Sequence, residues 1–533
     1  MSRYNWPLAP LGQEGEGDDP AGRGRFIARR RKGFDIEGAL RVSRTPGLPA
    51  HRPGGAPGPF APANGRQHLW QALGPVSLLG GQAEGNPRVS GRVNAICVHD
   101  GGQRMYAASA NGGVWYSKDG GANWLSVAGL ASTNAVGILR PAQRNACGTL
   151  YVEFGPAEGD DLVFLGTGEI THPMTGEPGN SEGGIGILVA DKPMKSVAPD
   201  PWVREAPNLV NNGVYRIVRE PGGSSVIAAT RTGLYQRPAV PAVDKNWERL
   251  TSKPFDTLAV DCTDLLWTPV QGTSPARLWV WVKEGANAGL WVRDAGAADF
   301  TKVEVDSASP FGYSPRRACL AGSTPPTQVW VLNDRGNGTK PGLFRVTNPG
   351  AGPGRPKAYG VVGVPNILRD SGFYNIAIAV DPAHPDRVAL GGSYLEDRTQ
   401  DGAQVQYNAA IVVADVAPDP AHAGVLTYGL PTPYTLIGLG VHPDVHALAY
   451  SNGGASLWTG CDGGIFRSDA PTRPAGFYAR NNGLSISESN FVATHPRCEG
   501  HMIAGLQDNG VVVRLSSGVW KMLFLGAGGA ALT

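Results

Sequence analysis

The word SKDGGANW, at residues 117–124, constrains the fold more than any other part of this chain, because it has the pattern S-x-D-x-G-x-x-W directly after a strand-like stretch. Short Ser and Asp side chains bond the backbone amides of turns, and glycine adopts positive φ without steric cost. A tryptophan after such a turn buries a large ring against the sheet. The pattern therefore predicts a hairpin turn built by Ser117, Asp119, Gly121 and Trp124. Because the turn uses these polar groups, the pattern predicts structure and not catalysis.

A two-strand unit recurs along the chain. An apolar strand leads through a short turn into a second strand that begins with glycine and continues with apolar or aromatic residues. Five such pairs are Met105–Ala108 with Gly113–Trp115, Val226–Ala228 with Gly233–Tyr235, Leu278–Trp281 with Gly289–Trp291, Val329–Leu332 with Gly342–Phe344, and Ser456–Trp458 with Gly464–Phe466. Further units are indicated at residues 146–205, from Phe373 to Pro382, and from Phe491 to Trp520. The repeat count is therefore seven or eight.

The repeat spacing of about 40–60 residues, with four short strands per unit, is typical of propeller blades. The 75 glycines and 44 prolines, with only 17% charged residues, favour short strands and tight turns over long helices. We predict an all-β fold, a single β-propeller of seven or eight four-stranded blades over residues 65–533. The stretch His68–Gln71 is expected to complete the final blade by pairing with carboxyl-terminal strands, and most tryptophans are expected to fill the spaces between blades.

Residues 1–64 are rich in Gly, Pro and Arg and are predicted to be a disordered arm. Six of the 47 basic residues lie in this arm within ten positions, which leaves 41 basic against 45 acidic residues, a net charge of −4, in the rest of the chain. They are Arg23, Arg25, Arg29, Arg30, Arg31 and Lys32. The mildly acidic body predicts no specific nucleic-acid partner. The basic run is interpreted as a solvated arm, with contact to nucleic acid or anionic lipid as the alternative.

The six cysteines are separate and form no C-x-x-C pair, so the sequence predicts buried free thiols and neither a zinc ribbon nor a dense disulfide framework. No stretch of about 18 apolar residues and no apolar core of a classical signal peptide is visible. We therefore expect a soluble protein without a transmembrane segment, either cytoplasmic or exported without a classical signal. The oligomeric state is not predicted.

Several words in the repeats resemble those of the BNR/Asp-box propellers, the sialidase-like, VPS10-like and glycoside-hydrolase-74-like bacterial repeat proteins. The matching words are Gly91–Ile96, Gly112–Trp115 with the turn that follows it, Gly166–Glu169, Val441–Leu448, Asp462–Ser468, Asn481–Leu484 and Gly505–Gly510. They span residues from about 65 to 530 and imply a propeller. Propellers of this kind include hydrolases, receptors and scaffolds, so the resemblance implies the fold more strongly than any function.

In the xyloglucan-cleaving members, the catalytic aspartates lie two residues before a Gly-Gly pair in two blades. The corresponding residues here are Ala110 and Cys461, and neither can act as a carboxylic acid or base. Asp462 is displaced by one residue, which on a strand would place its side chain on the opposite face. The arginine word of sialidases is matched only by Tyr215-Arg216-Ile217-Val218, with valine in place of proline, so a sialidase site is not favoured.

The best ligand-type pattern is His442, Asp444 and His446, which alternate with period two and would share one face of a strand. Two imidazoles and a carboxylate suit a divalent cation or a sugar hydroxyl, whereas the alternative is that these side chains cap backbone groups. A Gly-rich insertion at residues 166–186 adds Glu169, His172 and Glu182, and its alternative is an irregular solvated loop. Gln507, Asp508 and Asn509 form a polar turn that faces the central channel or stabilises blade closure.

We therefore predict a propeller that binds carbohydrate or a protein partner without a recognisable catalytic pair. No cofactor is predicted beyond the divalent cation at His442, Asp444 and His446. The alternative is a glycoside hydrolase, xyloglucanase-like or sialidase-like, that uses carboxylates in the propeller cleft. Its candidate catalytic residues are Glu169, Asp444 and Asp508, and the candidate binding residues are His442, Asp444, His446, Glu182, Gln507 and Asn509.

Overall fold

The computed structural model describes residues 73–127, 146–168, 184–198, 200–256, 260–270, 275–283, 287–306, 316–323, 328–335, 340–347, 356–398, 405–474, 476–495, 497–515 and 517–526. Within these ranges every regular element is a strand, apart from one 3-10 turn at Asn452–Gly454. None of the described residues forms a helix of the length and apolarity that a membrane crossing requires. The predicted arm, residues 1–64, lies outside the described residues.

Four blades are formed by consecutive antiparallel strands in the first half of the chain. Blade 1 consists of β2 (Val93–Val98), β3 (Met105–Ser109), β4 (Val114–Ser117) and β5 (Leu125–Ser126). Blade 2 consists of β6 (Cys147–Glu153), β7 (Leu162–Thr167), β8 (Ile185–Asp191) and β9 (Val203–Val210). Blade 3 consists of β10 (Val214–Arg219), β11 (Val226–Thr230), β12 (Gly233–Gln236) and β13 (Glu248–Arg249). Blade 4 consists of β14 (Cys262–Thr268), β15 (Arg277–Val282), β16 (Gly289–Asp294) and β17 (Thr301–Lys302).

The second half adds three blades and an eighth sheet. Blade 5 consists of β19 (Ala318–Gly322), β20 (Gln328–Asn333), β21 (Gly342–Thr347) and β22 (Lys357–Val362), with β18 (Glu304–Val305) parallel to β22. Blade 6 consists of β23 (Ala377–Asp381), β24 (His384–Arg398), β25 (Val405–Pro418) and β27 (Thr435–Leu436). Blade 7 consists of β28 (Val445–Ser451), β29 (Ser456–Cys461), β30 (Gly464–Ser468) and β31 (Phe477–Ala479). The eighth sheet consists of β32 (Ser489–His495), β33 (Cys498–Leu506), β34 (Gly510–Arg514), β35 (Trp520–Phe524) and β1 (Leu78–Leu79).

The first strands of blades 1 to 7 form a closed ring of contacts, β2 to β6, β10, β14, β19, β23, β28 and back to β2. This arrangement confirms the predicted all-β propeller, and each repeat unit identified in the sequence forms a blade of the ring or the eighth sheet. The ring itself has seven blades. The eighth sheet lies outside the ring, and residues of its β33, β34 and β35 join a core cluster with blades 6 and 7.

Alternation along the strands explains why the blades stack. In β3, Tyr106 belongs to a core cluster shared with Leu165 of blade 2, whereas the preceding Met105 belongs to a cluster shared with Trp458 of blade 7. Successive side chains of a strand point to opposite faces, so each central strand fills two interfaces. Large rings occupy these interfaces as predicted, since Trp247, Trp279, Trp281, Trp330 and Trp458 are all fully buried.

A β-bulge recurs near the start of the first strand. In blades 1, 2, 3, 4 and 7 one extra residue interrupts the pairing after the first strand residue. These extra residues are Asn94, Gly148, Tyr215, Thr263 and His446. A bulge redirects a side chain out of the regular alternation. The bulges therefore place residues of several blades at the same end of the ring, where the first strands begin.

Blades 5 and 6 share a strand. The short β26 (Leu426–Tyr428) pairs antiparallel with β25 of blade 6 and parallel with β22 of blade 5, which joins the two blades into one ten-stranded sheet. Strands β24 and β25 are also much longer than the other strands of the ring. Their pairing continues beyond the start of β23, so a hairpin projects at the end of the ring where the first strands begin.

Within the described residues, contacts between loops join the two ends of the ring. Asn481, which follows blade 7, donates from Nδ2 to the carbonyl of Arg88 before blade 1, at 2.9 Å. The Ser90 hydroxyl donates to the Leu484 carbonyl at 2.6 Å. The predicted closing strand, His68–Gln71, lies outside the described residues, and the nearby β1 pairs with β35 in the eighth sheet. The paired amino-terminal strand therefore does not complete the seven-bladed ring.

The S-x-D-x-G-x-x-W segment forms a turn after β4. The amide of Gly121 donates to Ser117 Oγ at 2.9 Å, and the amide of Asn123 donates to Asp119 Oδ1 at 2.9 Å. Trp124 is buried, and its indole N–H donates to the Arg480 carbonyl of blade 7 at 2.7 Å. The turn therefore also ties blade 1 to the segment that closes the ring.

The six cysteines are free, in agreement with the absence of a C-x-x-C pair. Three of them are buried, Cys147, Cys262 and Cys461, and three are partly buried, Cys97, Cys319 and Cys498. Burial raises the pKa of the Cys97 thiol to about 11, so this thiol is a packing group with little thiolate at neutral pH.

We predict that Gly464→Ala destabilises the ring by about 3 kcal/mol, because it combines backbone strain with a lost hydrogen bond. Gly464 has a φ of +102°, and an added Cβ would lie 2.2 Å from Asn481 Oδ1. That oxygen accepts the Ile465 amide at 2.8 Å. Thermal unfolding followed by circular dichroism measures the effect.

The matched control is Gly424→Ala, where φ is +80° and an added Cβ meets no atom within 4 Å. Backbone strain alone should cost the control about 1 kcal/mol. An equal loss of thermal stability in the two variants would contradict the role assigned to Asn481 in ring closure.

Candidate functional site

Polar side chains from three blades meet at the end of the ring where the first strands begin. Arg92 precedes β2 of blade 1, Tyr374 precedes β23 of blade 6, and His446 and Asp462 belong to blade 7. Glu488, which precedes β32, approaches the same group from the eighth sheet. We call these five residues the channel-end site.

Asp462 holds the centre of this site. Its Oδ2 accepts the Tyr374 hydroxyl at 2.6 Å, and its Oδ1 lies 2.7 Å from His446 Nε2. Arg92 Nη1 in turn donates to the Tyr374 oxygen at 2.7 Å, and Arg92 Nη2 lies 3.8 Å from Glu488 Oε1. The Tyr374 and His446 rings meet edge to face, with centroids 4.9 Å apart. The network thus joins five side chains from separate parts of the chain.

Local structure explains the position of each group in blade 7. Asp462 follows the last residue of β29 and lies in the tight turn to β30, with Gly463 and Gly464 after it. A Cβ on Gly463 would lie 2.3 Å from the Cβ of His442, so only glycine fits this close approach. His446 is the extra residue of the β28 bulge, which directs its imidazole to the turn that carries Asp462.

The electrostatics of the site keep Asp462 ionised. Burial by itself would raise the pKa of Asp462, but His446, Arg92 and the Tyr374 hydroxyl together hold that pKa below its usual value. Burial is also the largest cause that raises the pKa of Tyr374 well above its usual value. The phenol is therefore a neutral donor to the carboxylate, and Asp462 accepts hydrogen bonds but is a poor proton donor at neutral pH.

A second layer of polar groups supports the first. The Asn375 amide, next to Tyr374, donates to Asp444 Oδ1, and the Ser393 hydroxyl donates to the same oxygen at 3.4 Å. His442 Nε2 lies 3.0 Å from the Asp508 carbonyl oxygen, in the turn between β33 and β34. These contacts fix blades 6 and 7 and the eighth sheet around the channel-end site.

The predicted metal-binding set, His442, Asp444 and His446, does not share a strand face. Strand β28 begins only at Val445, and Asp444 has a φ of +63°, so the assumed alternation is interrupted before the strand begins. The three side chains contact different partners, the Asp508 carbonyl, Asn375 with Ser393, and Asp462. Within the described ranges, no group of three or more His, Cys, Asp or Glu residues is placed to hold a metal ion.

The remaining sequence candidates divide into two groups. Glu169, His172 and Glu182 lie outside the described residues. The polar turn after β33 is adjacent to the site, because Asn509 Nδ2 donates to the carbonyl of Asp462 at 3.2 Å and the Gln507 amide donates to the carbonyl of Glu488 at 3.0 Å. Asp508 contributes its backbone carbonyl to His442. This turn therefore positions the channel-end site from the eighth sheet.

The alternation argument for Asp462 requires a correction. Cys461 is the last residue of β29 and is fully buried, whereas Asp462 lies in the following turn. Its direction is set by the turn and not by strand alternation, and it faces the channel-end site. Arg216, from the sialidase-like word, forms an ion pair with Asp264 of blade 4 at 3.0 Å.

Sequence analysis missed Arg92, Tyr374 and Glu488 as site residues. Each lies in the segment just before a first strand, Arg92 and Glu488 one residue before β2 and β32 and Tyr374 three residues before β23. Aligning the repeats on their first strands would have placed these three residues at one end of the propeller. The signal was therefore the position within the repeat and not a local motif.

Comparison with known proteins supports the fold. No family model matches the chain, and no curated protein matches it in sequence. Among solved structures, a GH74 enzyme from Niastella koreensis is 14% identical with a TM-score of 0.52, over 83% of this chain and 61% of that chain. The GH74 xyloglucanase from Xanthomonas campestris is 16% identical with a TM-score of 0.53, over 85% of this chain and 70% of that chain. A Dos1 propeller is 11% identical with a TM-score of 0.42, over 75% of this chain and 96% of that chain.

At these identities the GH74 likeness shows a shared propeller fold and no more. The chain spans 61% of the length of the Niastella koreensis enzyme. The BNR/Asp-box resemblance stays a prediction from the sequence.

We predict that acid weakens the fold through the buried histidines. Burial lowers the pKa of both His442 and His446 below their ordinary value of 6.5. At a pH between the lowered pKa of a folded-state histidine and its ordinary pKa in the unfolded chain, the unfolded chain therefore binds more protons. Their stabilising contribution is therefore lost as pH falls below about 6.5. The lowered pKa of Asp462 adds stability that is lost only in stronger acid. Melting temperatures at pH 8 and pH 5 measure the first step.

The His446→Gln variant should show a smaller melting-temperature difference between pH 8 and pH 5 than the wild type. The control is His422→Gln, because the His422 side chain is 71% exposed and lies away from the channel-end site. If His446→Gln kept the full wild-type difference, His446 would not contribute to the acid response.

Proposed function

We propose that this protein is a carbohydrate-binding β-propeller that holds its ligand at the channel-end site. The observation that carries the proposal is the convergence of Arg92, Tyr374, His446 and Asp462 from three blades into one hydrogen-bonded network. Ligand sites in folds of this kind lie on loops positioned by a rigid scaffold. The network has the donors and acceptors that a hydroxyl-rich ligand requires.

The exposure of the site residues divides them into two roles. Asp462 is fully buried beneath Tyr374 and His446, so it positions those two side chains. Tyr374 is partly exposed, and the Glu488 side chain is 22% exposed. A sugar hydroxyl would therefore donate to Glu488 and contact the Tyr374 phenol, while Asp462 keeps the phenol fixed.

The charge states favour binding over proton transfer. General acid catalysis of glycoside cleavage needs a carboxylic acid that is protonated near the working pH. The pKa of Asp462 is shifted in the opposite direction. Burial raises the pKa of Asp264. Its Oδ1 accepts the Leu265 amide and pairs with Arg216, and its Oδ2 accepts the Leu320 amide, so both oxygens are already engaged.

Glycoside hydrolysis is the second candidate function. One observation favours it. Glu488 of the eighth sheet lies directly beside Arg92, and Asp462 of blade 7 is linked to Arg92 through the Tyr374 hydroxyl. Two carboxylates on either side of a bond are the requirement for glycosidases. The GH74 enzymes with a similar fold make polysaccharide an appropriate substrate class to test.

We predict that Glu488→Gln and Tyr374→Phe each lower glycan affinity about tenfold, because the first replaces a charged acceptor with a neutral amide and the second removes a hydroxyl. Isothermal titration calorimetry with xyloglucan, mixed-linkage β-glucan, cello-oligosaccharides and sialylated oligosaccharides measures the affinity. The matched control is Glu158→Gln, in the turn between β6 and β7 at the opposite end of the ring, where the side chain is 56% exposed.

A parallel assay of reducing ends separates the two functions. Binding without release of reducing ends supports the binding protein. Release that disappears in Glu488→Gln would establish the hydrolase instead. If the wild type bound none of these glycans, the carbohydrate proposal would be overturned and a protein ligand would become the better candidate.

A further inference from the structure

We propose that the projecting hairpin, residues 392–398 with 405–410, carries a second sugar contact at Tyr394 and Tyr407, so that the ligand is a neutral oligosaccharide of several units. The inference rests on the carbohydrate-binding function proposed above. It adds a subsite and a ligand class to that function.

The hairpin is long enough to form a wall beside the site. Pairing of β24 with β25 runs from Arg387 to Arg398, whereas β23 covers β24 only up to Gly391. Seven residues of β24 therefore extend beyond the start of the first strand, and at about 3.3 Å per residue they rise roughly 20 Å. They rise at the same end of the ring as Tyr374, which precedes β23.

The base of the hairpin is fixed to the channel-end site. The Ser393 amide donates to the Ile367 carbonyl at 2.8 Å, and the Asp444 amide donates to the Ser393 carbonyl at 3.4 Å. Asp444 also accepts Asn375, whose neighbour in sequence is Tyr374. These contacts place the first projecting residues directly beside the site and hold them there.

Two aromatic rings lie just above this base. The Tyr394 and Tyr407 rings contact edge to face, with centroids 5.0 Å apart and an interplanar angle of 75°. Both residues are partly exposed. The Arg369 guanidinium lies 4.1 Å from the Tyr394 ring centroid, and its Nε donates to the Tyr394 carbonyl at 3.0 Å. A cation therefore packs against the pair on one side, and both residues keep part of their surface exposed.

This combination matches the chemistry of a sugar chain. A pyranose has an apolar face of C–H groups, which packs on an aromatic ring, and a rim of hydroxyls, which needs donors and acceptors such as Arg369 and Glu488. A neutral ligand fits this site, because Asp462 is fully buried and the carboxylates of Glu488 and Asp462 are offset by the guanidinium groups of Arg92 and Arg369. It must also span several units to reach both the channel-end site and the hairpin.

The test compares short and long ligands. We expect Tyr407→Ala and Tyr394→Ala to weaken binding of cellohexaose or of a xyloglucan heptasaccharide about tenfold, and to leave binding of cellobiose within twofold of the wild type. Tyr407→Phe keeps the ring and should retain wild-type affinity. The matched control is Tyr434→Ala, because Tyr434 is 43% exposed but lies outside the projecting hairpin. Titration calorimetry measures the affinities, and circular dichroism melting confirms that each variant folds.

The outcomes separate this inference from the function on which it rests. Unchanged binding of the long ligands in both alanine variants, with loss in Glu488→Gln, overturns the hairpin subsite and keeps the channel-end site. Equal losses for long and short ligands also overturn it, since the hairpin would then affect the site only through folding. If Tyr407→Ala failed to fold, the retention of affinity by Tyr407→Phe and its loss in Tyr407→Leu would test the ring directly. A wild type that bound neither long oligosaccharide would overturn the hairpin subsite, whereas the carbohydrate-binding function would be overturned only if none of the glycans tested above bound.

Discussion

Burial of both faces of every blade is the constraint on which the structure depends. A sheet of four short strands has too little covered surface to be stable alone, and the seven sheets of the ring cover one another. Each central strand sends alternate side chains into two interfaces, as Met105 and Tyr106 do in blade 1. The closed ring leaves no blade at an end, which removes two faces that would otherwise be exposed to water.

The same constraint explains where polar chemistry collects. The faces of the blades are occupied largely by apolar packing, and the channel-end site lies outside them, at strand ends and turns. At one end, the bulge at His446 and the glycine turn at Asp462 bring an imidazole and a carboxylate together, and Tyr374 arrives from the neighbouring blade. Burial of Asp462 is tolerated because both its oxygens are hydrogen-bonded. A network satisfied in this way is rigid, and rigidity suits the recognition of ligand hydroxyls that we propose for this site.

Ring closure and the eighth sheet are connected to this end of the molecule as well. Asn481 and Ser90 join the two ends of the seven-bladed ring. In the polar turn, Asn509 attaches the eighth sheet to Asp462 of blade 7, and the Gln507 amide binds the carbonyl of Glu488 within that sheet. The eighth sheet packs on blades 6 and 7 through residues such as Leu506 and Trp520, while its first strand leaves Phe491 54% exposed. The site thus lies where the ring, its closure and the additional sheet meet.

The sequence by itself determined the fold class, because period-two alternation, glycine-led strands and repeat spacing are local properties that every unit carries. It also marked Asp508, Asn509 and His446 as polar residues near a turn or strand start. The network was decided only by the tertiary structure. Arg92 and Asp462 are 370 residues apart in sequence, and they meet through Tyr374 only when blades 1, 6 and 7 close the ring. Alternation failed at Asp444, which has a positive φ and precedes the strand, and at Asp462, which lies in a turn. Side-chain direction in turns depends on backbone dihedrals that residue order alone does not specify, whereas side-chain direction inside strands follows from residue order.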